Sequence, residues 1–487
     1  MSLAAPAEPR RDWEYVEAWG MSSGHAARVI RPRSTEELQA ALGEARAAGV
    51  RVAPRGTGCS YGDASTQRDG WVLDLSQMNR VLSFDPEQGV LDAEAGLSVR
   101  GAWRHILPHG WWPYVVSGTM FPTLAGAAAM NIHGKNNYRV GTFGDHVLEF
   151  DLVLPSGEVR TANREQNPEL FHAAIGGFGM LGLFSRIVME TKRVHSGLME
   201  VRGVSTHDLG EMMEVFEAEK GDADYLVGWL DCFPGGDSSG RGLVHVGRNL
   251  EPGEDTDPAA TLDVRSQSLP ANILGVIPKS EVWRGLRLFN HDAGMRLVNS
   301  VKYLAGRLEG MQDPYLQSHA AFHFLLDFVP NWKWAYGRRD QSGLIQYQVF
   351  LPKETAHGTL LELLERCRQR GHVSYLGVLK RHRPDPFWLT HALDGWSLAL
   401  DFKVDERRRA SLWEHCHDLT ELVLAAGGKF YFAKDSVLRA EDVARFLPAE
   451  KLAAFRSLKE ELDPEGMLQT DLSQRLFPGF EAAQPMA

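Results

Sequence analysis

Apolar and polar positions change period several times along this chain, and the changes mark its elements. Ser34-Thr35-Glu36-Glu37-Leu38 supplies a cap and acidic first-turn residues, after which Leu38, Leu42 and Ala45 recur at helical spacing up to Gly49. Short β-like runs flank that helix, residues 27–30 before it and 50–53 after it, in a βαβ-like order. Residues 71–75 read as another strand. Residues 81–85 and 90–95 alternate around Pro86-Glu87-Gln88-Gly89, the pattern of a hairpin, and 147–154 with 159–161 repeat it around Pro155-Ser156-Gly157-Glu158. Helices are predicted over 99–107 and 168–175, and a strand over 183–189. After Val194 the pattern becomes that of an antiparallel sheet with helices, with strands expected at 225–229, 242–246, 319–329, 344–351, 373–380 and 396–402. Residues 249–268, polar, acidic and Pro-containing, read as a mobile loop. Residues 427–436 form an aromatic strand after a Gly-terminated helix, and 463–468 close a helix and turn the chain.

A length of 487 residues exceeds a single core and fits two domains, or one large domain with an insertion. The net charge of −11 argues against a nucleic-acid footprint and against a broadly basic membrane-binding face. Residues 1–11 are Ala- and Pro-rich and lack the apolar core of a signal peptide, and no apolar run approaches a membrane span. Cys59, Cys232, Cys367 and Cys416 show no CxxC spacing, so neither a metal site nor a disulfide framework is expected and the setting reads as reduced and cytoplasmic. Between 273 and 304, Val282, Trp283, Leu286, Phe289 and Leu297 alternate with Arg284, Arg287, Arg296 and Lys302. That stretch fits a packed surface helix, and it also fits peripheral contact with lipid.

Candidate chemistry starts at Pro54-Arg55-Gly56-Thr57-Gly58-Cys59-Ser60-Tyr61-Gly62-Asp63. Three glycines and small hydroxyl residues between two strands can bend a backbone so that several N–H groups converge on one anion, although an ordinary Gly-rich connection has the same composition. From 117 to 137 small residues dominate, which suits close approach to a flat ring system and equally suits an Ala-rich core helix. His133 and Lys135 end that apolar run and must be solvated, paired or used. Gly177, Gly179 and Gly182 match GxGxxG, but a helix precedes and a strand follows, the reverse of the dinucleotide fingerprint. Lys434, next to Asp435 at a strand end, is either a solvated terminus or a functional amine.

Three of these stretches together, 54–63, Asn131-Ile132-His133-Gly134-Lys135-Asn136 with Gly141-Thr142-Phe143-Gly144-Asp145-His146, and 176–182, resemble the FAD-binding domain of vanillyl-alcohol-oxidase/PCMH-type flavoenzymes. Within that superfamily the chain resembles the decaprenylphosphoryl-ribose oxidase group, through Leu326-Asp327-Phe328-Val329-Pro330-Asn331-Trp332, Gln346-Tyr347-Gln348, Gly395-Trp396 and Tyr431 with Ala433-Lys434-Asp435-Ser436. The resemblance implies an α+β fold: a split FAD-binding domain, 1–194 and 430–487, around an inserted antiparallel-sheet substrate domain, 195–429. It implies that Arg55, Gly56, Thr57, Gly58, Cys59, Ser60, Tyr61, Gly62 and Asp63 hold a pyrophosphate. Gly118, Thr123, Gly126, Met130, Asn131, Ile132 and His133 would line the flavin, with Phe184 and Tyr431 completing the pocket. Cys59 stands where relatives with covalent FAD can carry a histidine, so the expected FAD is non-covalent.

The implied reaction is oxidation of a secondary hydroxyl of a sugar to a ketone, probed by two catalytic candidates, Lys434 and His133, with Lys135, Gln346, Gln348 and Lys380 contacting phosphate or sugar. Lys434 acts either as a base with a lowered pKa or as a charged polarising group. In the family a separate reductase restores the hydroxyl inverted, which implies an NAD(P)H-dependent ketoreductase partner. Ser397 and Ala399 depart from the group's Asn and Cys, leaving the sugar open. Two other readings are an aldonolactone or alditol oxidase using oxygen, and a flavin-binding lipid carrier without turnover.

Overall fold

Strand alternation organises three main sheets. The computed structural model describes residues 13–269, 272–273, 277–309, 314–329, 331–337 and 342–480. Residues 1–11 and Pro330, used above, lie outside them. In the first sheet, Gly24–Ile30, Trp71–Asp74 and Val52–Arg55 run parallel in that order, and Trp13–Glu17 pairs antiparallel at the outer edge. The helix Thr35–Ala47 crosses over between the two outer parallel strands, capped by the Ser34 side chain accepting from the Glu37 amide. The expected βαβ unit is therefore split, because Trp71–Asp74 occupies the centre and shields its backbone on both edges. A six-stranded antiparallel sheet follows, with both predicted hairpins paired and Leu183–Arg193 central.

An eight-stranded antiparallel sheet holds the middle of the chain, in the order Tyr315–Ser318, Leu198–Thr206, Gly242–Asn249, Tyr225–Leu230, Gly377–His382, Gly395–Val404, Gly343–Pro352 and Lys429–Phe430. Its last strand delivers the C-terminal segment. That segment then returns to the first sheet, where the Val52 amide donates to Met467 O at 2.8 Å and Gln469 N donates to Val52 O at 3.0 Å. One apolar core runs continuously through the six- and eight-stranded sheets and the C-terminal helices, from Ala64 to Phe480. The two sheets are thus joined by burial as well as by chain.

Three expectations are corrected. The predicted strand over 319–329 is a helix, His319–His323, followed by a 3₁₀ turn, Leu325–Asp327; the strand ends at Ser318, whose hydroxyl caps the helix by accepting from Ala321 N. Helical spacing brings His319 and His323 to the same face, stacked on Trp112 at ring distances of 5.0 and 5.6 Å. The strand expected over 373–380 begins only at Gly377. The loop expected over 249–268 is tied down: Pro258–Thr261 is a helical turn, and the buried Gln267 side chain donates to Gly197 O at 2.8 Å and accepts from Ala320 N at 3.1 Å. Polar composition misled there because the polar groups bond one another and the neighbouring backbone rather than solvent alone.

Lys459 locks the C-terminal segment to the glycine-rich turn over 176–182. Buried with Asp463, its ammonium pairs with that carboxylate and donates to Met180 O at 2.8 Å and Leu468 O at 2.9 Å. Removing one partner of a buried pair strands the other without compensation. Lys459→Leu is expected to lose about 3–5 kcal/mol of unfolding free energy, read as a lowered urea midpoint; a midpoint equal to the parent's contradicts this account.

Candidate active site

A cavity of about 420 Å³ opens between the first two sheets and the face of the eight-stranded one that carries Gln346, Gln348 and Lys380. Its floor is the turn after Val52–Arg55. Arg55 fixes that turn from beneath, donating to Glu17 O at 2.9 Å and to Ser65 O and Oγ at 3.1 Å. Gly58 has φ +70°, and a Cβ on Gly56 would fall 2.3 Å from Thr123 Oγ1. That hydroxyl caps the helix Leu124–Ala129, accepting from Gly126 N at 3.0 Å, so the turn and the Ala-rich helix meet only because Gly56 lacks a side chain. Among the described residues no acceptor serves the backbone N–H of Gly56, Thr57, Gly58, Cys59 or Ser60, and all five residues line the cavity. Consecutive unpaired amides on a cavity wall are what a diphosphate requires.

Most of the predicted residues come together around this cavity. Arg55, Gly56, Thr57, Gly58, Cys59, Ser60, Tyr61, Gly118, Thr123, Gly126, Met130, Ile132, His133, Phe184 and Tyr431 all line it, as do Lys135, Gln346, Gln348, Lys380 and Lys434. Three do not. Asn131, at φ +45°, turns its amide away, donating to Asp385 and accepting from Gly144 N at 2.9 Å each. Gly62 is packed against Asp435 O, and Asp63 is held by Arg475 at 2.8 Å. These three shape the turns that carry their neighbours. Lys135 lines the cavity but its ammonium donates to Phe322 O and, at 3.0 Å, to His323 O, which holds the 319–323 helix in place.

Register explains the opposite wall. Gln346 lies opposite Asp401, Gln348 opposite Ala399 and Phe350 opposite Ser397, while Lys380 pairs with Ser397 from the other side. Period-two alternation therefore projects one polar set from three neighbouring strands onto one face. The strand Lys429–Phe430 pairs with Val349 and Phe350 and leads directly to Tyr431 and Lys434. Gln348 Nε2 is 3.0 Å from His133 Nε2, and Lys380 Nζ is 3.4 Å from His133 Nδ1. Ser397, fully buried, hydrogen-bonds His382 Nε2 at 2.7 Å.

Charge in this dry wall is costly. Burial pushes the Lys434 ammonium, 3.7 Å from the centre of the Tyr61 ring, down to about 7, against the pull of Asp401. Asp401 is fully buried; burial pushes its carboxyl up to about 6 against the Gln346 hydrogen bond, received on Oδ1 at 2.5 Å. Among the described residues its other oxygen, Oδ2, is buried without a hydrogen-bond partner. Lys380 is lowered to about 8 by burial, and His133 is held well below the ordinary imidazole range by burial first and by Lys380 next. Asp401 was not among the sequence candidates. Its signal was the same-face alternation of Ser397, Ala399 and Asp401 opposite Gln346 and Gln348. Trp229, His245 and Lys302 also line the cavity unforeseen.

Burial raises the Cys59 thiol above its ordinary pKa, with only a weak contact to Thr57 Oγ1 at 3.4 Å, so the nucleophilic thiolate is disfavoured. The GxGxxG segment behaves as its context predicted: Leu183–Arg193 follows as a strand, and a Cβ on Gly179 would fall 2.3 Å from Pro54.

Comparison with known proteins agrees with this geometry. Residues 26–163 match the FAD binding domain family. The chain is 28% identical over 475 residues to decaprenylphosphoryl-beta-D-ribose oxidase of Mycolicibacterium smegmatis, covering 94% of this chain and 96% of that one. It is 27% identical over 166 residues to D-arabinono-1,4-lactone oxidase of Yarrowia lipolytica, 33% of this chain and 31% of that one. L-galactono-1,4-lactone dehydrogenase of Arabidopsis thaliana matches at 27% identity over 165 residues, 34% and 27% of the two chains.

The turn gives a direct test. Gly56→Ala must displace Thr123 and its helix cap, and is expected to weaken FAD binding about fivefold, given roughly 1 kcal/mol for a lost cap, measured by flavin fluorescence titration. Acid precipitation of the native protein should release all flavin to the supernatant; flavin retained on the precipitated chain contradicts non-covalent binding.

Proposed function

We propose that this chain is an FAD-linked oxidoreductase of the vanillyl-alcohol-oxidase/PCMH type, as its FAD-binding match and its relatives support, and that it oxidises a secondary hydroxyl of a polyprenyl-phosphate-linked pentose to a ketone. The observation that carries the reading is the amine of Lys434, lowered to about 7 in the wall of the cavity that also holds the unpaired amides of the glycine turn. When bound, FAD supplies the two-electron oxidant that alcohol oxidation requires.

The residues of the chain do the rest. The turn over residues 56–60 holds the diphosphate, Thr123, Gly126, Met130, Ile132 and His133 line the ring system, and Tyr431 closes the pocket. Neutral Lys434 accepts the hydroxyl proton on Nζ as the carbonyl forms, and Asp401, close enough to influence it, steadies the resulting ammonium. Lys380 supplies positive charge and His133 a hydrogen-bonding imidazole in the same wall, to meet the negative charge that accumulates as the alcohol is oxidised. Gln346 and Gln348 orient the sugar hydroxyls, and Lys380 with Lys302 offers cations to the substrate phosphate. An NAD(P)H-dependent ketoreductase would then return the hydroxyl with inverted configuration, making this the first half of an epimerisation.

Coverage of 94% of this chain by the ribose oxidase, against about a third by the aldonolactone enzymes, favours the lipid-linked sugar. Ala399 lines the cavity where that group carries a thiol, and Ser397, where it carries an amide, is buried beside it against His382, so the sugar accepted here is expected to be bulkier at that position. Anaerobic mixing of holoprotein with polyprenyl-phosphate sugars, nucleotide sugars, polyols and aldonolactones tests the proposal. Bleaching of the oxidised flavin band is expected with a polyprenyl-phosphate pentose, slowed about 10²–10⁴-fold in Lys434→Ala with FAD retained. Bleaching by polyols or lactones alone, with peroxide formed in air, replaces it with the oxygen-dependent reading. Full reduction in the variant removes Lys434 from the chemistry.

A further inference from the structure

The helix Asp292–Glu309 carries two opposed stripes. Asn299 and Tyr303 are buried, the Tyr303 hydroxyl donates to Thr206 O at 3.2 Å, and a Cβ on Gly306 would fall 2.3 Å from Leu243 Cδ1. These three residues fasten the helix to the eight-stranded sheet. About half a turn away, Leu297, Val301, Leu304 and Leu308 recur every three or four residues and are 57% to 66% exposed. The preceding helix, Val282–Phe289, adds Leu288 at 76%. A surface helix normally turns its one apolar stripe inward. Here the inward stripe is already filled, so the outer one serves nothing within the described residues, and a contiguous apolar surface of this kind marks a contact site.

Charge and position narrow what that contact is. The two helices hold five basic residues, Arg284, Arg287, Arg296, Lys302 and Arg307, against two acidic ones, Asp292 and Glu309, in a chain whose net charge is −11. Lys302 of the same helix lies over Trp229 at 4.2 Å and lines the cavity, as does Leu325, which is itself largely exposed and is followed by exposed Phe328. The apolar face therefore adjoins the opening of the cavity. Among the described residues no helix is long and apolar enough to cross a membrane, so any lipid contact is interfacial. A second copy of the chain would bring basic residues onto basic residues across a two-fold interface.

We propose that these two helices, with Leu325 and Phe328, form a docking surface for an anionic phospholipid bilayer at the entrance to the active site. Leucines and valines enter the acyl boundary while Arg287, Arg296 and Arg307 meet the headgroups. Resting on the function proposed above, the surface would present a lipid-linked sugar to Lys434 without its tail crossing water.

Full-length holoprotein sedimented with vesicles tests this. It should pellet with phosphatidylcholine–phosphatidylglycerol vesicles and far less with phosphatidylcholine alone. Arg287→Gln with Arg307→Gln should weaken binding to the anionic vesicles about 30-fold, at about 1 kcal/mol per basic residue. Replacing Leu297, Val301, Leu304 and Leu308 together with serine should abolish it, with bound FAD and the thermal midpoint preserved. Wild-type protein left in the supernatant, or a serine variant that pellets as well as the parent, overturns the proposal. So does a dimer, seen by sedimentation velocity, that the serine variant dissolves while vesicles bind neither protein. Vesicle binding by a protein whose flavin no polyprenyl-phosphate sugar reduces leaves the docking surface standing and removes the proposed substrate instead.

Discussion

Taking an amine and a carboxyl out of water beside one another governs this site. Lys434 and Asp401 each lose hydration, and among the described residues neither forms a direct ion pair that would hold its ordinary proton affinity. Burial favours the neutral amine and the protonated acid, whereas their mutual attraction favours the two charges. The balance puts both groups within reach of neutrality near pH 7, which is where a proton-accepting group is most useful. Gln346 fixes one oxygen of Asp401, and the other has no partner among the described residues. Such an atom is tolerated where a ligand or a proton is to be received.

That balance depends on topology. Asp401 and Gln346 face each other because Gly395–Val404 and Gly343–Pro352 pair in one register, and a slip of a single residue would turn both away from the cavity. Lys434 arrives from a segment nearly the whole chain away from the glycine turn, and Tyr61 N donating to Ala433 O at 2.9 Å ties the two together. The Lys459 anchor secures the same segment from its far end. The glycine turn, the Lys434 amine and the sheet wall are thus one packed unit, consistent with the continuous apolar core beneath them.

Local chemistry was readable wherever it was written in neighbouring residues. Both hairpins announced themselves through alternation around Pro-Gly turns, and the glycine turn through spacing that only a backbone site needs. The non-fingerprint nature of Gly177, Gly179 and Gly182 followed from the order of flanking elements. What eluded the sequence depends on pairing between distant strands or on polar groups spent internally. Asp401 gains its meaning only opposite Gln346, and residues 249–268 look solvated until Gln267 is seen bonded to Gly197 and Ala320. His319 and His323 read as strand because aromatic content suggested β structure, yet their four-residue spacing was the helical signal that stacks both on Trp112. Asn131 lay in a motif whose neighbours line the cavity, but its left-handed backbone turns it away from the cavity to Asp385 and Gly144.

Proton transfer to an amine tuned by Asp401 is tested most directly by the pH dependence of anaerobic flavin reduction in the native protein and in Asp401→Asn. Native reduction should accelerate as pH rises through about 7, where Lys434 loses its proton. Removing the carboxylate removes the charge that stabilises the ammonium, so the variant's rising limb should move to lower pH. A limb that stays in place or moves to higher pH in the variant would contradict the account.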